Sequence, residues 1–429
     1  ANVTRSLRLP ITNTFADGGY SVRAHVGADQ QAVHLILDTG SATLALGHAH
    51  YHVEKDNYVE FTYYSQSIKY AEGSWHGPVV KTTVRLGIFG HSVTLPQTFV
   101  AIAKEPNSPE QPCFKKADGI MGLAYQPLNH AYRYCDETKE KLSEYDLYSV
   151  LLSDSVETEQ AELNVDKPIA TTLPSYFSYL EQQHITANKF AFWLHRSSIY
   201  NVDSNCLTAA LAHRTNYGLF VVGEPLFHKD LYSPPLLNAK VLHDKFYNVT
   251  LKAIECEGVA TNAPVLKASD QARWCSNAIV DTGATVIGLP ESLYDDVMGQ
   301  IHACVRNADV LLAPFTAFSF QEQGIPLTEL DLTKWPTLTF ILEGEHGEDI
   351  ALRLPPDAYW QIHAPSYNEA SFKMFPLKHW PNQTILGLPL ISQYYTIFDR
   401  ARGEFGVVSF AHKVTAGQTV ETLKQIFKK

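Results

Sequence analysis

The sequence predicts a mainly β protein made of two similar halves, and three observations support this. Stretches such as YVEFTYYS (58–65), PTLTFILEG (336–344) and YYTIFDR (394–400) mix β-branched and aromatic residues with period-two runs, bounded by Gly, Pro, Asn or Asp. One pattern is written twice, as LILDTGSATLAL from Leu35 to Leu46 and as AIVDTGATVIGL from Ala278 to Leu289. With 429 residues, 45% hydrophobic and only 18% charged, the chain has enough apolar mass for two cores.

The elements follow in chain order. The first Asp-Thr-Gly closes an apolar strand. The stretch from Gln126 to Asn188 is polar and rich in Glu, Ser and Tyr, and reads as surface helices and loops, with TKEKLSEYDLYSVLL (138–152) as a helix candidate. FAFWLH (190–195) reads as a strand opening the second half. The expected division is therefore 1–195, with the first motif, and 196–411, with the second. After Pro290, Leu293, Val297, Ile301 and Val305 recur every four residues behind acidic first-turn residues, which predicts a helix. In the tail, 412–429, Val420, Leu423 and Phe427 share one side of a possible amphipathic helix.

Composition excludes several functions. A formal net charge of −11 argues against nucleic acid and anionic membranes as partners. No apolar run reaches the ~18 residues of a membrane helix, and ANVTRSLRLPITNT lacks the apolar core of a secretory signal. The cysteines are Cys113, Cys135, Cys206, Cys256, Cys275 and Cys304. They form no CxxC and no zinc spacing, and their pairing stays open between bridges and free thiols. Strand alternation would put His48, His50 and His52 on one face, and a solvated loop is the alternative. No metal or cofactor is expected.

The doubled motif carries chemistry. An apolar strand ending in Asp-Thr-Gly delivers a carboxylate at a tight turn, where Gly permits dihedrals closed to other residues. Two such carboxylates brought together would share one proton, because like charges that close cannot both ionise. One could then polarise a water while the other donates a proton to a carbonyl, giving general acid–base hydrolysis of an amide without a covalent intermediate.

The sequence resembles the pepsin-like aspartic peptidases, in order from about Tyr20 to Ala411. YAEGSWHG (70–77) is similar to the family's flap. ADGIMGLAY (117–125) and TILGLPLISQYYTIFDRARGEFGVVSFA (384–411) are similar to two further family segments. The resemblance implies a bilobal β fold with a cleft between lobes. It implies Asp38 and Asp281 as the catalytic pair, and Tyr70, Gly73, Ser74 and Trp75 as a flap over substrate. Thr39, Gly40, Ser41, Thr282, Gly283 and Ala284 would support the turns, with Ser41 bonded to Asp38. Peptide or protein substrates, apolar preference around the cut, an acidic optimum, inhibition by pepstatin-type compounds and a monomeric state are further implications. Ala45 stands where pepsin has Trp, and with Trp75 this is similar to the memapsin subgroup. Gly288 replaces that subgroup's Arg, so its acidic preference does not carry over. The family's disulfide beside the first motif is absent, which favours an intracellular setting over a secreted or acidic endosomal one. The Asn-x-Thr triplets at Asn2, Asn248 and Asn382 are near chance for this length. A catalytically inactive pepsin-fold protein that binds peptides or proteins is the rival expectation. Such proteins lose an Asp, its Gly or the flap Tyr, and all three are intact here.

Overall fold

The computed structural model describes residues 6–70, 73–88, 91–106, 112–134, 142–153, 168–203, 206–317, 319 and 321–414. The fold is mainly β, as expected, and divides into two compact units. One is Ser21–Ile185. The other joins Thr186–Lys429 to the first twenty residues.

In the Ser21–Ile185 unit, hydrogen-bonded neighbours run in the order Ile169–Thr172, His130–Arg133, Glu60–Tyr70, Gly73–Ile88, His91–Ala103, Leu44–Gly47, Gly119–Gly122, Gln31–Asp38 and Gly19–Val26. The last strand also pairs with Gly73–Ile88 through Ala24↔Leu86 and Val26↔Val84, so the sheet curls back on itself. Closure encloses the inward set of side chains, including Val22, Leu35, Leu37, Leu46, Val84 and Met121, all at most 1% exposed. Burying each such side chain is worth roughly 1.5–3 kcal/mol.

The other unit carries a sheet in the order Leu7–Ala16, Tyr217–Val222, Lys189–Trp193, Tyr394–Asp399, Val407–Lys413 and Tyr232–Lys240. Its core is aromatic. Phe190 stacks on Phe398 at 5.0 Å, and Phe192 stacks on Phe220 at 5.1 Å. A five-stranded sheet of Asn248–Val249, Ala278–Val280, Thr384–Leu386, Ile287–Pro290 and Met374–Leu377 holds the second Asp-Thr-Gly. The helix expected after Pro290 spans Glu291–Cys304 and buries Leu293, Val297, Met298 and Ile301.

Three expectations need correction. The 126–188 stretch is more than surface helices and loops: His130–Arg133 and Ile169–Thr172 pair antiparallel and extend the sheet. The polar composition hid them because their side chains are mostly exposed while their backbones complete the ladder. Within the same stretch the helix candidate is real but short, Glu144–Leu151. The Ser143 hydroxyl accepts the Asp146 amide at 3.1 Å as its N-cap, worth about 1 kcal/mol. Second, the histidines do not alternate along a strand. The strand stops at Gly47 and His48–His50 form a 3-10 turn, because this segment has left the sheet for solvent. Third, Val305 lies just past the helix as its C-cap, though still buried. The tail helix falls outside the described residues, as do Cys135 and Asn2. None of the five described cysteines is bridged. Among the described residues no helix is long and apolar enough to cross a membrane.

Candidate active site

Each Asp-Thr-Gly sits at the end of a strand whose neighbours are arranged in the same way. Leu35–Asp38 runs parallel to Gly119–Gly122, and the strand after the turn, Leu44–Gly47, returns antiparallel to that same segment. In the other unit Ala278–Val280 runs parallel to Thr384–Leu386, and Ile287–Pro290 returns antiparallel to it. A carboxylate strand and its successor thus flank one shared strand, twice.

Close approach explains two glycines beyond the motifs. A Cβ on Gly122 would overlap the Thr43 amide nitrogen, and one on Gly387 would overlap the carbonyl oxygens of Val286 and Ala284. Removing the side chain lets the shared strand draw tight under each turn. Backbone bonds then lock it. Ala124 N–H donates to the Ser41 carbonyl at 2.8 Å, and Leu388 N–H donates to the Ala284 carbonyl at 2.8 Å.

The turns themselves match. Gly40 N–H donates to Asp38 Oδ1 at 2.8 Å, and Gly283 N–H donates to Asp281 Oδ1 at 2.8 Å. Each carboxylate is therefore oriented by an amide two residues on, as in an Asx turn. Thr39 and Thr282 are buried, 0% and 2% exposed, while both aspartates are partly exposed. Ser41 adds a hydroxyl donor to Asp38 Oδ2 at 2.8 Å. Ala284 at the corresponding place has none to give.

The segment expected to form a flap is a hairpin in the Ser21–Ile185 unit, with register Tyr70↔Gly73, Lys69↔Ser74 and Ile68↔Trp75. The Tyr70 side chain and residues 71–72 lie outside the described set. Trp75 is 1% exposed. The Cys113 thiol donates to the Ser74 carbonyl at 3.6 Å, and His76 exchanges both backbone bonds with Lys104, so the second strand of the hairpin is tied down close to its turn.

Two residues near the first turn escaped sequence reasoning. Asn129 is buried. Its Oδ1 accepts from Thr43 Oγ1 at 2.8 Å and Gln66 Nε2 at 2.7 Å, and its Nδ2 donates to the carbonyls of Leu173 and Pro174. It therefore joins the segment after the first turn, the strand Glu60–Tyr70 and the far side of the 126–188 stretch. Nothing in its local sequence signals this. Asp118 accepts from the His34 amide at 2.7 Å through Oδ2, and its Oδ1 lies 3.3 Å from His50 Nδ1. It sits within ADGIMGLAY, so that segment could have pointed to it. His48, His50 and His52 are exposed, and no group able to hold a metal ion occurs among the described residues. Gly288 lies in a buried strand, where a Cβ would press on the end of the Leu377 side chain.

A family model described as eukaryotic aspartyl protease matches residues 19–166 and 162–411. The chain belongs to this family. Both Asp-Thr-Gly turns fall inside the matched ranges, one in each. Membership makes the protein's family one of hydrolases acting on peptides.

Proposed function

We propose that the protein is an active aspartic endopeptidase, with Asp38 and Asp281 as its catalytic pair. The observation that carries this reading is the repeated turn: each carboxylate is held by the amide of its own glycine at 2.8 Å, on a strand anchored in the same way. A chain that had abandoned catalysis would have no need to keep both carboxylates oriented.

In this reading the ionised carboxylate takes a proton from a water as it attacks the scissile carbonyl. The protonated one donates to the carbonyl oxygen, and the resulting tetrahedral species collapses as the amine leaves with a proton. Ser41 holds the Asp38 carboxyl in place by donating its hydroxyl to Oδ2. Thr39, Thr282, Gly40 and Gly283 hold the turns, while Tyr70, Gly73, Ser74 and Trp75 act as the flap. The substrates are extended polypeptides with apolar residues around the cut, pepstatin-type compounds inhibit, and the protein works as a monomer at acidic pH. The missing family disulfides support an intracellular setting.

Turnover of a peptide library at acidic pH, with pepstatin added and with Asp38→Asn and Asp281→Asn, tests this reading. Cleavage abolished by the inhibitor and by either substitution is expected. Binding of peptides without turnover by the wild-type protein would replace it with the inactive, peptide-binding reading.

A further inference from the structure

Cys256 and Cys304 are 48 positions apart in sequence and neither is part of the machinery described above. Cys256 ends the strand Leu251–Cys256, and its backbone is fixed by pairing with Val259 and Leu338. Cys304 ends the helix Glu291–Cys304, which packs on that strand and on Val259–Asn262. The helix packs on that strand, and the two thiols are close enough for the Cys304 sulfur to act on the Cys256 thiol. Cys256 is 2% exposed, Cys304 is exposed, and both are unbridged. Both also act on Tyr359, whose hydroxyl is pushed above the ordinary phenol range by burial first and by the two sulfurs after it.

We propose that Cys256 and Cys304 form a thiol–disulfide exchange site at which a low-molecular-weight disulfide, such as oxidised glutathione, is reduced while the pair closes into an intramolecular disulfide that locks helix to strand. The roles follow from placement. Cys304 is open to solvent and meets the reagent first. Its thiolate attacks one sulfur of the reagent, that S–S bond breaks, and one reduced thiol departs. Cys256 then attacks the Cys304 sulfur, the mixed disulfide breaks, and a second reduced thiol departs. The protein pair loses two electrons and two protons, and the reagent gains them.

Burial first, and the free Cys304 thiol after it, push the Cys256 thiol up to about 11, so thiolate attack from Cys256 quickens with rising pH. The strand end is held by its ladder and the helix packs on the strand, so a bridge would tie these two elements directly. The loop so closed contains the second Asp-Thr-Gly turn, so the bridge would restrain the unfolded chain around a catalytic element. The inference is independent of whether the protein cleaves peptides.

The full chain is incubated with oxidised glutathione, remaining thiols are alkylated, and the protein is mapped by mass spectrometry without reduction. The expected result is a linked peptide joining Cys256 to Cys304, with loss of two hydrogen atoms. The thermal midpoint should rise by roughly 5 °C, reversed by dithiothreitol. Cys304→Ser, a surface change that leaves folding intact, should show neither. A persistent glutathione adduct on Cys304 with Cys256 still a thiol, a linkage between other cysteines only, or no reversible thermal shift would each overturn the proposal.

Discussion

Ser41 donates its hydroxyl to Asp38 Oδ2 at 2.8 Å, whereas the equivalent place after the second turn is Ala284, which carries no hydroxyl to donate. That difference bears on charge. A hydroxyl donated to a carboxylate favours its ionised form, and a charge-assisted bond of this kind is worth about 1.5–3 kcal/mol.

Placing a hydroxyl after the second turn should therefore shift the pH dependence of hydrolysis. The acid partner must keep its proton, and Ala284→Thr makes that proton easier to lose. The high-pH limb of the kcat/KM profile is expected to move to lower pH, by at most about one to two units. Profiles of the wild type and the variant on one peptide measure this. An unchanged limb, or one moved to higher pH, would sink the argument.

Asp56 makes the stability of the Ser21–Ile185 unit depend on acid. Burial by itself would raise its carboxyl. The opposing hydrogen bonds from Thr82, Tyr51 and the amides of Ala28 and Tyr58 outweigh it, so the folded carboxyl lies below the ordinary Asp range. For a carboxylate depressed on folding, the stabilising contribution is fully present above the unfolded value and is lost as pH falls through the folded one. Asp56→Asn should thus lower the thermal midpoint near pH 6 and flatten its fall below pH 4. A variant that loses stability equally at all pH values would contradict this.

Asn129→Ala leaves the buried hydroxyl of Thr43, the amide of Gln66 and two backbone carbonyls without their partner. Each buried group stranded costs about 1–3 kcal/mol, offset in part by water entering the space. A loss of at least about 2 kcal/mol is expected in urea titration, with m unchanged. A loss below about 0.5 kcal/mol would mean that these bonds are replaced at no cost.

Trp75 pairs with Ile68 in the hairpin of Glu60–Tyr70 and Gly73–Ile88, one position from Ser74, and is 1% exposed. Trp75→Phe keeps most of the apolar bulk and removes the indole N–H. If the indole steadies the flap, kcat/KM should fall roughly tenfold, about 1.4 kcal/mol, while the thermal midpoint changes little. A lower midpoint with unchanged kcat/KM would make Trp75 a packing residue only.

Much of the fold was legible because it rests on short-range patterns. Alternation marked the strands around Phe61, Phe340 and Ile397. The four-residue spacing from Leu293 to Ile301 marked the long helix, and Asp38-Thr39-Gly40 and Asp281-Thr282-Gly283 marked both turns with their glycine amides. These depend on neighbours within a few residues, which local sequence encodes.

Other features depended on which distant segments meet. Gly122 and Gly387 became intelligible only when each shared strand was seen to pass directly beneath its turn. Asn129 gains its partners because sheet closure brings Thr43, Gln66 and Leu173 to one point. The strands at His130–Arg133 and Ile169–Thr172 exist because their backbones complete a ladder, whatever their polar side chains suggest. Leu7–Ala16 joins the unit of the second turn by pairing with Tyr217–Val222. Cys256 meets Cys304 because a helix docks on a strand. In every such case the decisive contact spans dozens of residues or more, and no local periodicity records it. Its free energy comes from closing a sheet or burying a helix face, which are properties of the assembled unit.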